Sequence, residues 1–155
     1  MRPGVRIGVD VGKARIGVAR SDFHGMLAMP VETVKRGEGD IRAILAHVTD
    51  VDAVEIVVGL PLSLSGAETA STADAREFAG RIAQASPSAR VRLVDERLST
   101  VSAQRALHAS GRTTRNSRGV IDQVAAVIIL QHALDFERSG GTPPGALLVP
   151  DEGSE

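Results

Sequence analysis

The sequence predicts an α/β fold in which helices flank a central mixed sheet of three antiparallel strands followed by parallel crossover strands. The first observation is that three strand-like segments open the chain and are joined by short turns, which is typical of antiparallel neighbours. The second is that later apolar segments alternate with helical patterns, which is typical of parallel strands joined by right-handed crossovers. With 155 residues, 43% of them apolar, the chain can bury the core of one such domain.

The opening strands are recognised by alternation of apolar residues with smaller or polar ones. Val5, Ile7 and Val9 alternate in this way, and a turn at 12–14 leads into a second apolar segment. Pro30 favours an edge strand or a bulge in the third segment, because proline cannot donate a ladder hydrogen bond. The predicted strands cover residues 5–11, 16–19 and 26–34.

The later elements are recognised by helical spacing, caps and helix breakers. Asp40 is suited to cap the first helix, and Ser99 or Thr100 is suited to cap the third. The glycines and prolines of 140–145 end any helix, so a domain over 1–137 and a flexible tail over 138–155 are predicted. The predicted helices are 40–47, 68–85, 99–109 and 120–137, the later strands are 54–58 and 91–94, and 111–119 is an arginine-rich loop.

The composition excludes several classes of function. The chain has no Cys, which excludes disulfides, thiolate zinc sites and thiol nucleophiles. It has three Phe and neither Trp nor Tyr, so binding of single strands by base stacking on aromatic platforms is not expected. The first residues lack the apolar run of a signal peptide, and no segment reaches membrane-spanning length. A soluble, cytoplasmic protein without a membrane partner is therefore expected.

Two carboxylates are predicted at the ends of strands. Asp10 lies at the end of the first strand, where a buried acid is costly unless a cation or hydrogen bonds compensate it. Its alternative role is that of an Asx-turn residue that starts the hairpin. Glu96 follows the strand at 91–94, and ligands collect at the ends of parallel strands. Its alternative role is that of an exposed loop acid beside a helix cap.

A third carboxylate, Asp122, lies near the start of the last predicted helix. It shares one helix face with Ala125, Ala126 and Ile129, and the two small residues would let the helix approach the sheet closely. The alternative is an acid that only complements the helix dipole. If the three acids meet at one rim of the sheet, three hard oxygen ligands without His or Cys suit Mg²⁺ or Mn²⁺.

A basic segment lies between the second and third of these acids. Residues 97–121 contain five arginines and no Asp or Glu, a charge pattern that suits the phosphates of a nucleic acid. The alternative is an ordinary solvated surface. The candidate nucleic-acid-binding residues are Lys13, Arg97, Arg112, Arg115 and Arg118.

Four blocks of residues make the chain resemble the YqgF family, whose members are described as pre-16S rRNA nucleases and as Holliday-junction-resolvase-like proteins. The first block is weakly specific, since actin-like and sugar-kinase folds open similarly, whereas the third and fourth are specific in this order and spacing. The resemblance covers about residues 5–137. The blocks are 8–12 with 15–19, 58–61 with Gly66, 95–100, and Asp122 with 125–130.

The resemblance implies a ribonuclease-H-like fold, metal-dependent hydrolysis of phosphodiesters, and processing of the 5′ end of pre-16S rRNA in ribosome biogenesis. It places the family's acidic positions on Asp10, Glu96 and Asp122. The mechanism expected is two-metal hydrolysis, in which Asp10 bridges two Mg²⁺ or Mn²⁺ ions about 4 Å apart and each other acid completes one shell. Gln123 stands where a small or acidic residue is expected, which leaves the choice of substrate open.

Three other functions stay open on the sequence. A resolvase of four-way DNA junctions would use the same carboxylates in a homodimer. An actin-like or sugar-kinase-like nucleotide-binding module would need a second half-domain and a second phosphate loop, which 155 residues do not provide. A non-catalytic ribosome-assembly factor would dock on rRNA, but clustered acids repel phosphate. The expected partners are therefore precursor rRNA or branched DNA, ribosomal particles, and a second copy of the chain.

Overall fold

The computed structural model describes residues 2–86, 88–96 and 118–148, and of residues 118–122 it describes the backbone alone. The predicted helix at 99–109, most of the predicted loop at 111–119 and residues 149–155 lie outside this part of the chain. The described helices are α1 (Asp40–Val51), α2 (Ala70–Ala85) and α3 (Arg118–Gly140). The described strands are β1 (Arg6–Val11), β2 (Arg15–Ser21), β3 (Ala28–Lys35), β4 (Glu55–Leu60), β5 (Arg90–Asp95) and β6 (Ala146–Leu148).

The strands form one mixed sheet in the order β3-β2-β1-β4-β5-β6. β1, β2 and β3 pair antiparallel, and β1, β4 and β5 pair parallel, which confirms the predicted sheet. Pro30 lies on the edge strand β3, where the register with β2 shifts, as the proline predicted.

Helices cover both faces of the sheet. α1 and α2 pack on one face around a core that includes Ile44 and Phe78, and α3 packs on the other against Val57 and Val94. β4 is buried along its whole length because it is covered on both faces. The approach of α3 to β1 is close: a Cβ added to Gly8 would lie 2.7 Å from Cβ of Leu130.

The start of α1 differs from the prediction. Asp40 is the first helical residue, and the cap position belongs to Gly39, whose φ of 88° suits glycine. The carboxylate of Asp40 still satisfies backbone donors, because it accepts hydrogen bonds from the amides of Gly37 and Ile41 at 3.0 and 2.6 Å. α1 also continues to Val51, one turn beyond the predicted end at residue 47.

The segment 138–148 is more regular than the sequence suggested. α3 continues to Gly140, and residues 146–148 form β6, which pairs antiparallel with β5. Both segments were predicted to belong to a tail, because the glycines and prolines of 140–145 interrupt the pattern. A strand of three residues leaves too short a signal to recognise, and it is formed by pairing with β5.

A partly buried ion network joins Arg2, the sheet and the end of α3. Nε of Arg2 donates to the carboxylate of Glu137 at 2.7 Å, and Nη2 of Arg2 donates to Glu55 at 2.9 Å. Nε of Arg92 donates to Glu55 at 2.6 Å, and Arg6 lies 3.4 Å from Glu137. The hydrogen bond from Arg2 lowers the pKa of Glu137 from 4.5 to about 2. The network therefore fixes α3 against the sheet at the end remote from residue 122.

Candidate active site

Asp10 lies inside β1, one residue before the strand ends, and its side chain is fully buried. It pairs across the sheet with Gly17 of β2. Because side chains alternate along a strand, Asp10 points to the same face as Gly8, which is the face covered by α3. Asp10 is therefore a buried strand residue facing α3, and the interpretation of it as a turn residue is wrong.

Glu96 reaches the same face from the end of β5. Its side chain is only 2% exposed, so the interpretation of it as an exposed loop acid is wrong. A Cβ added to Gly59 of β4 would lie 2.9 Å from Oε2 of Glu96 and 3.0 Å from its Cγ. The absent side chain of Gly59 thus leaves the space that the carboxylate of Glu96 occupies.

The register of the sheet brings these two carboxylates to one rim. Val9 pairs with Val58 in the parallel β1–β4 ladder, so Gly59 is the neighbour of Asp10 one residue further along. Neighbouring strands are about 4.8 Å apart, and the carboxylate of Glu96 packs directly against Gly59. Asp10 therefore has a glycine on each neighbouring strand, and the acid of Glu96 lies over one of them.

The backbone of α3 brings residue 122 to the same level. Gly8 lies against Ala126 and Leu130, while Arg6 lies near Glu137, so α3 runs antiparallel to β1. Two residues of β1 advance about 7 Å, and four residues of a helix advance about 6 Å in the opposite direction. Position 122 is therefore level with Asp10, although the side chain of Asp122 lies outside what the structure describes.

The basic candidates are only partly described. Lys13 is exposed in the turn between β1 and β2, three residues after Asp10. Arg118 is the first residue of α3, and its side chain is not described. The other three, Arg97, Arg112 and Arg115, lie outside the described residues.

The feature that sequence reasoning missed is the pair of glycines beside Asp10. The predicted strand ended at residue 58, but Gly59 is the fifth residue of β4. A glycine in an otherwise apolar strand marks a close approach by another group, and this signal could have identified the position.

The donors at this rim are carboxylate oxygen atoms, which suit hard divalent cations. Among the described side chains no group of three His, Asp or Glu is placed to hold a metal ion. The structure thus brings together two carboxylates, Asp10 and Glu96, and the backbone position of a third. Within the described residues, no helix combines the length and the apolar character needed to cross a bilayer.

Comparisons with known proteins give a consistent result. The profile of a family described as "RuvX: Holliday junction resolvase" matches residues 4–136. A protein of Clavibacter michiganensis subsp. michiganensis, named "Putative pre-16S rRNA nuclease", is 66% identical over 151 residues, which are 96% of this chain and 93% of the relative. A protein of Leifsonia xyli subsp. xyli with the same name is 59% identical over 152 residues, which are 97% of each chain.

A solved structure shows the fold. The chain of T. thermophilus RuvC, solved in complex with a Holliday junction substrate, matches with a TM-score of 0.52 and 18% identity over 91% of this chain and 99% of that one. The ribonuclease-H-like fold predicted from the family resemblance is therefore confirmed.

Proposed function

Since this chain belongs to the RuvX (YqgF) family, we propose that it is a metal-dependent nuclease that hydrolyses phosphodiester bonds in the 5′-end processing of pre-16S rRNA. Its catalytic and metal-binding residues in this proposal are Asp10, Glu96 and Asp122. The relatives that match over nearly their whole length are named for this RNA, which favours it as the substrate.

The observation that carries the proposal is the burial of two carboxylates on one rim. Asp10 is fully buried and Glu96 is 2% exposed, and β4, which contains Gly59, lies between their strands. A divalent cation bound between two acids on one rim offsets their mutual repulsion. Two carboxylates held side by side by the sheet offer such a cation several hard oxygen donors at once, which supports a metal site here.

The carboxylates of Asp10, Glu96 and Asp122 would hold two Mg²⁺ or Mn²⁺ ions. When bound, such ions lower the pKa of a water molecule and stabilise the leaving oxygen. The protein's part is to orient the acids: β1 fixes Asp10 between two glycines, and the end of β5 places Glu96 over Gly59. α3 packs on the same face and shields the acids from bulk water, which strengthens their interaction with a cation.

Substitution of each acid by its amide tests the proposal. Asp10→Asn and Glu96→Gln remove the charge but keep the shape, so we expect folded proteins that lose at least about a hundredfold in turnover, and the same for Asp122→Asn. Asp50→Asn and Glu38→Gln are matched controls, because both residues are exposed on the α1 side of the molecule. Near-normal turnover of Asp10→Asn or Glu96→Gln would remove that residue from the site.

A DNA four-way junction is the second candidate substrate, because the matching family profile is described as a Holliday junction resolvase. Precursor rRNA, a plain single strand and a four-way junction should be incubated in parallel with the protein and Mg²⁺ or Mn²⁺. We expect the fastest cleavage on precursor rRNA, at its 5′ side. Faster, paired incisions of the junction by a dimer would assign the protein to DNA instead.

A further inference from the structure

A cavity of about 500 Å³ lies on the other side of the β1–β2 turn from the acidic rim. Its walls come from the turn, the end of β3 and the helices α1 and α2, and they carry three cations against two acids. Those charged residues are Lys13, Arg36, Arg81, Asp40 and Asp74. We infer that this cavity binds an internal phosphate of the nucleic-acid strand whose scissile bond lies at Asp10, an inference that rests on the proposed function.

Arg36 is committed to the wall of the cavity. Its Nη1 and Nη2 donate to the two carboxylate oxygens of Asp74 at 2.8 and 3.1 Å, and Nη1 also donates to the carbonyl of Gly12 at 2.9 Å. This pairing joins β3, the β1–β2 turn and α2, and it neutralises the charge of Asp74. Arg36 therefore shapes the cavity but has little left to offer a ligand.

Lys13 and Arg81 supply the charge that remains. Both lie near enough to Asp74 that their positive charges help to lower its pKa, but within the part of the chain that the structure describes neither donates a hydrogen bond or forms a close ion pair. The guanidinium of Arg81 lies 5.2 Å from the ring centre of Phe78, which holds it at the cavity by a cation–π contact. Asp40 accepts hydrogen bonds from the amides of Gly37 and Ile41 and lies 4.0 Å from Nε of Arg36, so the charged residues of the cavity leave a net positive charge.

The position of Lys13 connects the cavity to the proposed site of cleavage. Three residues of extended chain span at most about 10 Å, so Lys13 lies within that distance of Asp10. The acids face α3, whereas the cavity lies on the face of α1 and α2. A strand that is held at Asp10 and crosses the rim at the β1–β2 turn would bring its next phosphates to the cavity lined by Lys13 and Arg81.

Binding of a single-stranded RNA with a 5′-hydroxyl, measured by fluorescence anisotropy in Ca²⁺ buffer at several salt concentrations, tests the inference. The double variant Lys13→Gln with Arg81→Gln should bind about fivefold more weakly at 0.1 M salt for each phosphate that it no longer holds. The plot of the logarithm of the association constant against the logarithm of the salt concentration should also become less steep, by about 0.7 per phosphate lost. The control is Arg20→Gln with Arg90→Gln, which removes the same charge from exposed residues at the opposite rim. The inference would be overturned if both double variants bound equally weakly, or if the Lys13 and Arg81 variant bound as the unmodified protein does. It would also be overturned if the unmodified protein did not bind the RNA.

Strands that carry one neutral methylphosphonate at successive positions then locate the phosphate. One internal position should weaken binding by the unmodified protein about fivefold, and the same substitution should have no effect on the Lys13 and Arg81 double variant. An effect at no internal position, or an effect seen equally in both proteins, would contradict binding of an internal phosphate. Because only binding is measured, normal cleavage by Asp10→Asn would defeat the proposed function and leave this result standing.

Discussion

The carboxylate of Glu137 provides a direct test of how α3 is held against the sheet. It is 4% exposed and accepts hydrogen bonds from Arg2, and it lies 3.4 Å from Arg6. Its pKa falls from 4.5 to about 2 in the folded protein. Each pKa unit corresponds to about 1.4 kcal/mol, so its ionisation contributes about 3 kcal/mol to the free energy of unfolding at neutral pH.

The sign of the pH dependence follows from the lowered pKa. The contribution is complete above the unfolded pKa of 4.5, falls to about half near pH 3, and disappears below about pH 2. Glu137→Gln removes this ionised carboxylate, so it should be about 3 kcal/mol less stable than the unmodified protein at pH 7. The loss has a structural reason, since the buried guanidinium of Arg6 then faces a neutral amide. The two proteins should converge in stability as the pH falls through this window.

Urea unfolding followed by circular dichroism at pH 7, 5, 4 and 3 measures this difference. Glu68→Gln is the matched control, since Glu68 pairs with Arg76 at the surface with its side chain 52% exposed. Such a pair is worth under about 1 kcal/mol, so this variant should follow the unmodified protein at every pH. A constant difference between Glu137→Gln and the unmodified protein from pH 7 to pH 3 would refute the role assigned to the ionised carboxylate.

Three further predictions concern the proposed active site. Gly59→Ala places a Cβ 2.7 Å from Cδ1 of Ile129 and 2.9 Å from Oε2 of Glu96. The end of the Ile129 side chain can move, but the carboxylate is displaced, so turnover should fall at least about tenfold with an unchanged circular dichroism spectrum. Gly80→Ala adds a Cβ in open space and should leave turnover intact. Ala126→Leu adds bulk where α3 lies against Gly8 and Ala126 is fully buried. The variant should lose about 1–3 kcal/mol in the free energy of unfolding measured in urea, and α3 should shift. Wild-type turnover in the folded variant would contradict this packing. Mg²⁺ or Mn²⁺ should support cleavage and EDTA should stop it reversibly, while Ca²⁺ should support little turnover; full activity in EDTA would exclude the metal mechanism.

Local patterns were sufficient to predict much of the sheet and the places of the acids. The alternation around Asp10 predicted β1, and the apolar segment before Glu96 predicted β5, because strand periodicity depends on residues two positions apart. Pro30 predicted an edge position from its missing donor alone. The cap of α1 was placed one residue too far along, since Gly39 and Asp40 both suit the start of a helix.

Other features depend on segments far apart in the chain, and local patterns carry no information about them. Gly59 became part of the site only through the register that sets it beside Asp10 and under Glu96. Glu55 begins the otherwise apolar strand β4, and it can be buried there because Arg2 and Arg92 pair with it.

Short-range periodicity and backbone chemistry were enough to predict which segments form strands and helices. They were also enough to predict that acidic residues lie near the ends of strands. The burial of Glu96, the pairing of β6 with β5, and the meeting of Lys13 with Arg81 across 68 positions of sequence arose only when the chain folded. Burial and charge pairing are properties of the surroundings of a side chain. Those surroundings come into being when distant segments pack together, and the same residues in another register would have had different neighbours.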